Sequence, residues 1–203
     1  FDDLRGQMRR STGRLAGKTL LWQHGEVTLR LEGDLSKEEA LRIARTADDA
    51  VRYFNSYSSA IEAIGRTAGN RPLPDRPGIS VKLSALHPRF EAVSRTRVMS
   101  ELVPRLIDLA RQAKSHELNF TVDAEEADRL ELSLDVIAAA LGDASLAGWD
   151  GFGLAIQAYQ KRASDVIDYV DGLARSLDRR MMVRLVKGAY WDTEIKRAQE
   201  RGL

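Results

Sequence analysis

Residues 182–199 read MVRLVKGAYWDTEIKRAQ: an apolar run broken by an arginine, then a lysine, a glycine, two adjacent aromatics and a helical pattern beginning near Asp192. The run Met181-Met182-Val183-Arg184-Leu185-Val186 has the length and bulk of a buried strand. A guanidinium without a partner is costly in such a place, so Arg184 is expected to pair with an anion or an acceptor.

The same order of elements recurs toward the N-terminus. "GISVKL" reads as a strand, followed by a helix over Arg95–His116 with Val98, Leu102, Leu106, Leu109 and Ala113 on one side. "NFTVD" is a strand, and the helix from Glu125 to Leu141 carries Leu130, Leu134, Ile137 and Leu141. "FGLAIQ" precedes a helix over Ser164–Leu177. Strand and helix alternate at repeats of about thirty to forty residues, which implies parallel strands joined by crossover helices.

Lys82, Asp123, Gln157 and Arg184 each fall at or near the C-terminal end of a different strand. In a (β/α)8 barrel that is the rim where active sites are built. An open doubly wound sheet usually announces itself by G-x-G-x-x-G after its first strand, and no such turn follows any of these four. Gly151-Phe152-Gly153 precedes its strand and reads as a turn. Polar residues inside the strands also suit a barrel mouth better than a sheet buried on both faces. The expectation is therefore a distorted TIM-type barrel, present as an incomplete fragment with N-terminal helices.

Residues 1–33 hold a basic opening, "LRGQMRRSTGRLAGK", and "EVTLRLEG", whose alternation suits a short half-exposed strand. The opening reads as a solvated arm, the alternative being contact with an anionic partner. Ser36-Lys37-Glu38-Glu39 has capping-box spacing ahead of Leu41, Ile43, Ala44, Ala47 and Ala50. A second helical pattern runs through Tyr53, Phe54, Tyr57, Ile61 and Ile64 until "GNRPLPDRPG" breaks it. Tyr53 and Tyr57 read as packing residues at helical spacing.

With 31 basic and 30 acidic side chains among 203 residues, bulk electrostatics favours neither nucleic acid nor an anionic membrane. The absence of cysteine excludes disulfides, thiolate metal sites and cysteine nucleophiles. No apolar stretch approaches the roughly 18 residues of a membrane span. The first residue is not Met, nor does the start resemble a signal peptide, so a piece of a longer polypeptide is expected.

Lys82 suits a substrate carboxylate or, with a depressed pKa, an imine. Asp123 is either an acceptor in the site or an N-cap or structural ion-pair partner. Gln157 matches the edge of a planar heterocycle, or forms a loop hydrogen bond. Lys187-Gly188-Ala189-Tyr190-Trp191 supplies a cation, a flexible glycine and two rings before a helix N-terminus, which suits phosphate on backbone amides and rings on a flat ligand, the alternative being an aromatic corner. His87, before Pro88, reads as a loop hydrogen-bonder, and His24 and His116 lack partners at metal spacing, so no metal is expected. "EEADRLE" reads as a solvated, ion-paired face. Lys161 and Arg162 face either a phosphate or water.

"ISVKLSALHPRFE", "DAEEADRLELSLD", "QAYQKR" and "VRLVKGAYWDTEIKRAQ" resemble, in order and spacing, the proline dehydrogenase domain of bifunctional proline utilization A flavoenzymes. The resemblance runs from about Ala44 to Leu203 and implies a distorted (β/α)8 barrel that binds FAD and oxidises L-proline to 1-pyrroline-5-carboxylate. It further implies electron transfer to a quinone at the membrane surface. By resemblance Lys82, Asp123, Arg184 and Tyr190 are catalytic: Lys82 for the substrate carboxylate, Asp123 as an acceptor near flavin and substrate, Tyr190 as a wall of the proline pocket. Gln157 and Arg184 look like flavin hydrogen-bonders, and Val186, Lys187, Gly188, Ala189 and Trp191 like the segment lining the cofactor.

The resemblance implies a 1-pyrroline-5-carboxylate dehydrogenase domain in the same polypeptide, a cytoplasmic protein touching the membrane peripherally during turnover, and no nucleic-acid contact through this segment. Residues 1–43 do not reproduce the family's first-strand pattern and form an atypical arm. The chain stops before the last strands and the final helix with its arginine pair, so 44–203 is expected to be the N-terminal and central part of the barrel. Two other readings are a Schiff-base lyase using Lys82 and a catalytically incomplete scaffold or interaction module.

Overall fold

The computed structural model describes residues 14–16, 19–24, 27–32 and 37–202, with side chains from residue 47 onward. Residues 1–13 of the basic opening and Ser36 of the capping box lie outside the described residues. The chain divides into two units, Phe1–Val51 and Arg52–Leu203.

In the first unit β1 (Arg14–Ala16), β2 (Thr19–His24) and β3 (Val27–Glu32) form an antiparallel meander in that order. Leu20 pairs with Leu31 and Trp22 with Leu29. The third strand is the one its alternation announces. The second was not expected, because Leu20, Leu21 and Trp22 are apolar in succession and blur the two-residue period. Helix α1 runs unbroken over Lys37–Thr67. The two expected helical patterns are thus one helix, since neither glycine nor proline separates them.

The second unit carries β4 (Gly78–Val81), β5 (Asn119–Val122), β6 (Phe152–Gln157) and β7 (Met182–Val186). They form a parallel sheet in chain order, β4-β5-β6-β7. Between and after them come α2 (Leu83–Leu86), α3 (Arg95–Ser115), α4 (Leu130–Leu141), α5 (Ala163–Ser176) and α6 (Trp191–Glu200). The alternation read from the sequence is present. The described residues form an open four-stranded sheet and no closed barrel. Each new strand adds to the same edge, without the reversal that marks a doubly wound sheet.

Parallel register fixes the two faces. Val81, Val122, Leu154 and Val183 align on one, and Ser80, Thr121, Gly153 and Met182 on the other. The first face is apolar and packs under the helices: Val81 and Val122 are fully buried, as are Val98, Leu102, Leu106, Leu109 and Ala113 along α3. Phe120 stacks on Phe152 at 5.8 Å between ring centres. Two details differ from expectation. Helix α4 buries Leu132, Val136, Ile137, Ala140 and Leu141, while Leu130 and Leu134 are only half-buried. Its apolar residues surround the axis, so periodicity leaves the phase open. Strand β7, expected to be buried, is exposed: Val183 is 44% and Leu185 59% accessible. It has β6 on one side and no strand on the other among the described residues.

Candidate functional site

The second face of the sheet is polar, and the strand ends collect their chemistry there. Counting by twos from the aligned row places Lys82, Asp123, Gln157 and Arg184 all on it. Arg184 is not the buried guanidinium that the apolar run suggested: its side chain is 49% exposed, following the exposure of β7. It has partners nonetheless. Its Nη2 donates to Asp123 Oδ1 at 2.5 Å and its Nη1 to Ser80 Oγ at 2.8 Å.

That reach has a consequence for shape. Adjacent strands lie about 4.8 Å apart, so β7 and β4 would be about 14 Å apart in a flat sheet, beyond one arginine side chain. The sheet therefore curls with its polar face concave. Gly153 and Ala155 of β6, on the same face, leave room for the guanidinium to cross. Ser80 was not anticipated, although its alternation with Lys82 in "ISVKL" was the available signal.

Lys82 follows β4 as the residue before α2, with its side chain exposed. Its backbone N–H donates to the Tyr57 hydroxyl at 3.2 Å, so Tyr57 does more than pack. Tyr53 is 46% exposed, contrary to a packing role, and lies beneath the Arg52 guanidinium. Tyr190 is half-buried, and its hydroxyl is pushed above the usual phenol range by burial; the Lys82 amine opposes the shift, and Glu125 and Glu126 reinforce it. Tyr190 and Lys82 are thereby neighbours.

Gln157 is 4% exposed and uses both ends of its amide. Nε2 donates to the Glu125 carbonyl at 2.8 Å, and Oε1 accepts from the Ala189 N–H at 3.1 Å. It makes the loop hydrogen bonds weighed against a cofactor role. Beyond it, Val186 is half-buried and Lys187, Ala189 and Trp191 are exposed. Gly188 has φ +115°, and a Cβ there would lie 2.2 Å from a Tyr159 ring carbon. Trp191 meets the Tyr159 ring edge-on at 5.8 Å. An open cavity of about 560 Å³ is bounded by Tyr159, Lys187, Gly188, Ala189, Trp191 and Asp192. The Tyr159 hydroxyl is buried near Glu194 without hydrogen-bond geometry, and burial pushes its pKa up to about 12, Glu194 adding to the shift.

Three other sequence features find their places. Arg162 binds Glu131 at 3.2 Å and the Ala127 carbonyl at 2.8 Å, whereas Lys161 is exposed. His87 is buried, its Nε2 3.2 Å from Glu101 and its Nδ1 accepting from the Arg89 N–H, so it is a loop hydrogen-bonder. "EEADRLE" is ion-paired but not uniformly solvated: Glu125 is only 7% exposed, 3.6 Å from Arg129. Among the described residues no helix is long and apolar enough to cross a membrane.

A parallel sheet in sequential order, with a lysine, a carboxylate and a guanidinium from three strand ends on its polar face, defines an α/β protein with a candidate site at the C-terminal ends of its strands. The proline dehydrogenase family model matches residues 26–203, and the chain belongs to that family. The match reaches further toward the N-terminus than Ala44, where the motif resemblance begins. The bifunctional protein PutA of Klebsiella aerogenes is 52% identical over 178 residues, covering 88% of this chain and 13% of that protein. PutA of Rhizobium meliloti is 53% identical over 165 residues, covering 81% and 13%. A crystal structure of a Bradyrhizobium japonicum proline utilization A mutant shares 82% identity at TM-score 0.77, covering 78% of this chain and 16% of that one. Proline utilization A from Bdellovibrio bacteriovorus, 24% identical with TM-score 0.71 over 77% of this chain and 17% of its own, shares the fold. The chain thus spans about one eighth of the length of the curated relatives it matches.

Proposed function

We propose that residues 44–203 form part of the wall of a (β/α)8 barrel, led by the 1–43 arm, in a protein that oxidises L-proline to 1-pyrroline-5-carboxylate with FAD. Membership of the proline dehydrogenase family supports the reaction. The observation that carries the site is the Arg184 guanidinium, held by Asp123 and Ser80 across a sheet that curls as a barrel wall must.

The residues present fit a flavin. Two of the five guanidinium N–H groups of Arg184 are taken by Asp123 and Ser80, which leaves three donors on a half-exposed side chain for a ligand. Lys187 and Trp191 border an open cavity with a cation and an exposed ring. Gln157 positions the Lys187–Trp191 loop through its bond to the Ala189 N–H. A bound FAD would supply the hydride acceptor for the ring carbon next to the proline nitrogen. Lys82 supplies a cation for the substrate carboxylate. Tyr190, a phenol that is neutral near pH 7 and that burial pushes further in that direction, walls the pocket without adding a negative charge that would repel that carboxylate. Asp123 fixes the guanidinium so that its donors need no rearrangement.

For the whole protein we assign a membrane quinone as electron acceptor, met peripherally from the cytoplasm. A 1-pyrroline-5-carboxylate dehydrogenase domain in the same polypeptide accords with the name "bifunctional" carried by the relatives.

The test is anaerobic addition of L-proline to the full-length protein while its visible absorption is followed. Flavin bands bleach if the proposal holds. Arg184→Met is expected to slow that bleaching about 10- to 100-fold, the effect of losing one charge-assisted hydrogen bond. A flavin-loaded wild type that L-proline does not reduce refutes the assignment.

A further inference from the structure

We infer that Glu125 is a positioning residue that sets the spacing between the Lys82 and Tyr190 ends of the site, through a hydrogen-bond relay linking the chain at the C-terminal ends of all four parallel strands. The inference rests on the proline oxidation proposed above.

The relay is continuous. Two residues after Lys82, the Ser84 N–H donates to Glu125 Oε1 at 3.0 Å. The Glu125 carbonyl accepts from Gln157 Nε2 at 2.8 Å, and Gln157 Oε1 accepts from the N–H of Ala189, the residue before Tyr190, at 3.1 Å. The start of α2 after β4, the segment after β5, the end of β6 and the segment after β7 are thus joined in series by direct bonds. Both side chains that make the joints are buried, Glu125 at 7% and Gln157 at 4% exposure. Water therefore cannot readily replace a broken joint.

Packing alone does not account for Glu125. A buried carboxylate is costly unless its oxygens are used, and an apolar side chain would fill the space at less expense. Its oxygens are used for the site: one takes the Ser84 N–H, and the other lies 3.6 Å from Arg129, whose guanidinium also sits over the Phe90 ring of the β4–α3 connection. Lys82 is consequently held on both sides, by Tyr57 on its own N–H and by Glu125 two residues on. Glu125 also lies close enough to Tyr190 to raise its hydroxyl pKa further, behind the larger effect of burial.

Two variants of the full-length protein separate reach from charge. Glu125→Gln keeps an oxygen where the Ser84 N–H needs one, and should leave the KM for L-proline within about twofold of wild type. Glu125→Asp keeps the charge but withdraws it by one methylene; it should raise that KM about tenfold, leave kcat and bound flavin little changed, and speed amide exchange at Ser84. A Glu125→Asp protein with wild-type KM and wild-type Ser84 exchange overturns the inference. So does a Glu125→Gln protein as impaired as Glu125→Asp, because charge and not the bond would then be responsible. A wild type that proline fails to reduce overturns the underlying reading; a wild type that bleaches beside an unaltered Glu125→Asp overturns the relay alone.

Discussion

Adding one methyl group at Gly188 should loosen the end of the sheet where the site lies. The backbone there has φ +115°, a conformation that costs a residue with a Cβ about 1–3 kcal/mol. The new carbon would lie 2.2 Å from Tyr159 Cδ1 and 3.2 Å from Gln157 Oε1. The ring is itself set against Trp191, which resists its movement in that direction. Overpacking of that kind costs a further 1–3 kcal/mol or so. Taking the lower end of both, about 2 kcal/mol, the bonds from the Ala158 N–H to Val186 and from the Ala189 N–H to Gln157 should open roughly thirtyfold more often. Amide hydrogen exchange on the full-length Gly188→Ala protein reads those two positions directly. Gly172→Ala is the control: its Cβ meets nothing within 4 Å in the middle of α5, and it should stabilise that helix by about 0.5–1 kcal/mol. Exchange at Ala158 and Ala189 that stays within twofold of wild type in Gly188→Ala refutes the reasoning.

Burial holds the His87 imidazole below its ordinary 6.5, against the pull of Glu101, so the folded chain favours the neutral ring. The stability this confers is complete above pH 6.5 and is lost as pH falls from there through the folded-state value, because the unfolded chain then binds the extra proton. Thermal unfolding midpoints should decline between pH 7 and pH 5, and His87→Gln should flatten that decline; an unchanged slope would show that another group sets it. Leu106→Ala removes a fully buried side chain of α3 facing the sheet and should cost about 2–5 kcal/mol in denaturant unfolding. A loss under 1 kcal/mol would mean that α3 does not cover the core as described.

The elements of the second unit were legible because their signals are local. "NFTVD" and "FGLAIQ" are short apolar runs between breakers, and the α3 stripe from Val98 to Ala113 recurs at helical spacing. Where the signal was ambiguous the structure chose otherwise. In "LELSLDVIAAAL" apolar residues occupy nearly every face, so Leu132 and Val136 are buried and Leu130 and Leu134 only partly. The bulk of "MMVRLV" implied burial, but burial depends on neighbours, and β7 has a strand on one side only among the described residues. Glu125 carried no local mark at all. Within "EEADRLE" it has the composition of a solvated face, and only its bond to Ser84, 41 residues away, sets it apart.

By itself, then, the order of residues determined the four strands and the longer helices of the second unit, that those strands run parallel, and that Lys82, Asp123, Gln157 and Arg184 stand at or near their ends. These follow from periodicity and breakers, which act within a few residues. The tertiary structure alone decided what those side chains touch. Arg184 meets Asp123 and Ser80, 61 and 104 residues away, because the sheet curls and β6 presents Gly153 and Ala155 beneath the guanidinium's path. A strand pattern specifies which face a residue occupies but not the curvature that brings two distant faces together.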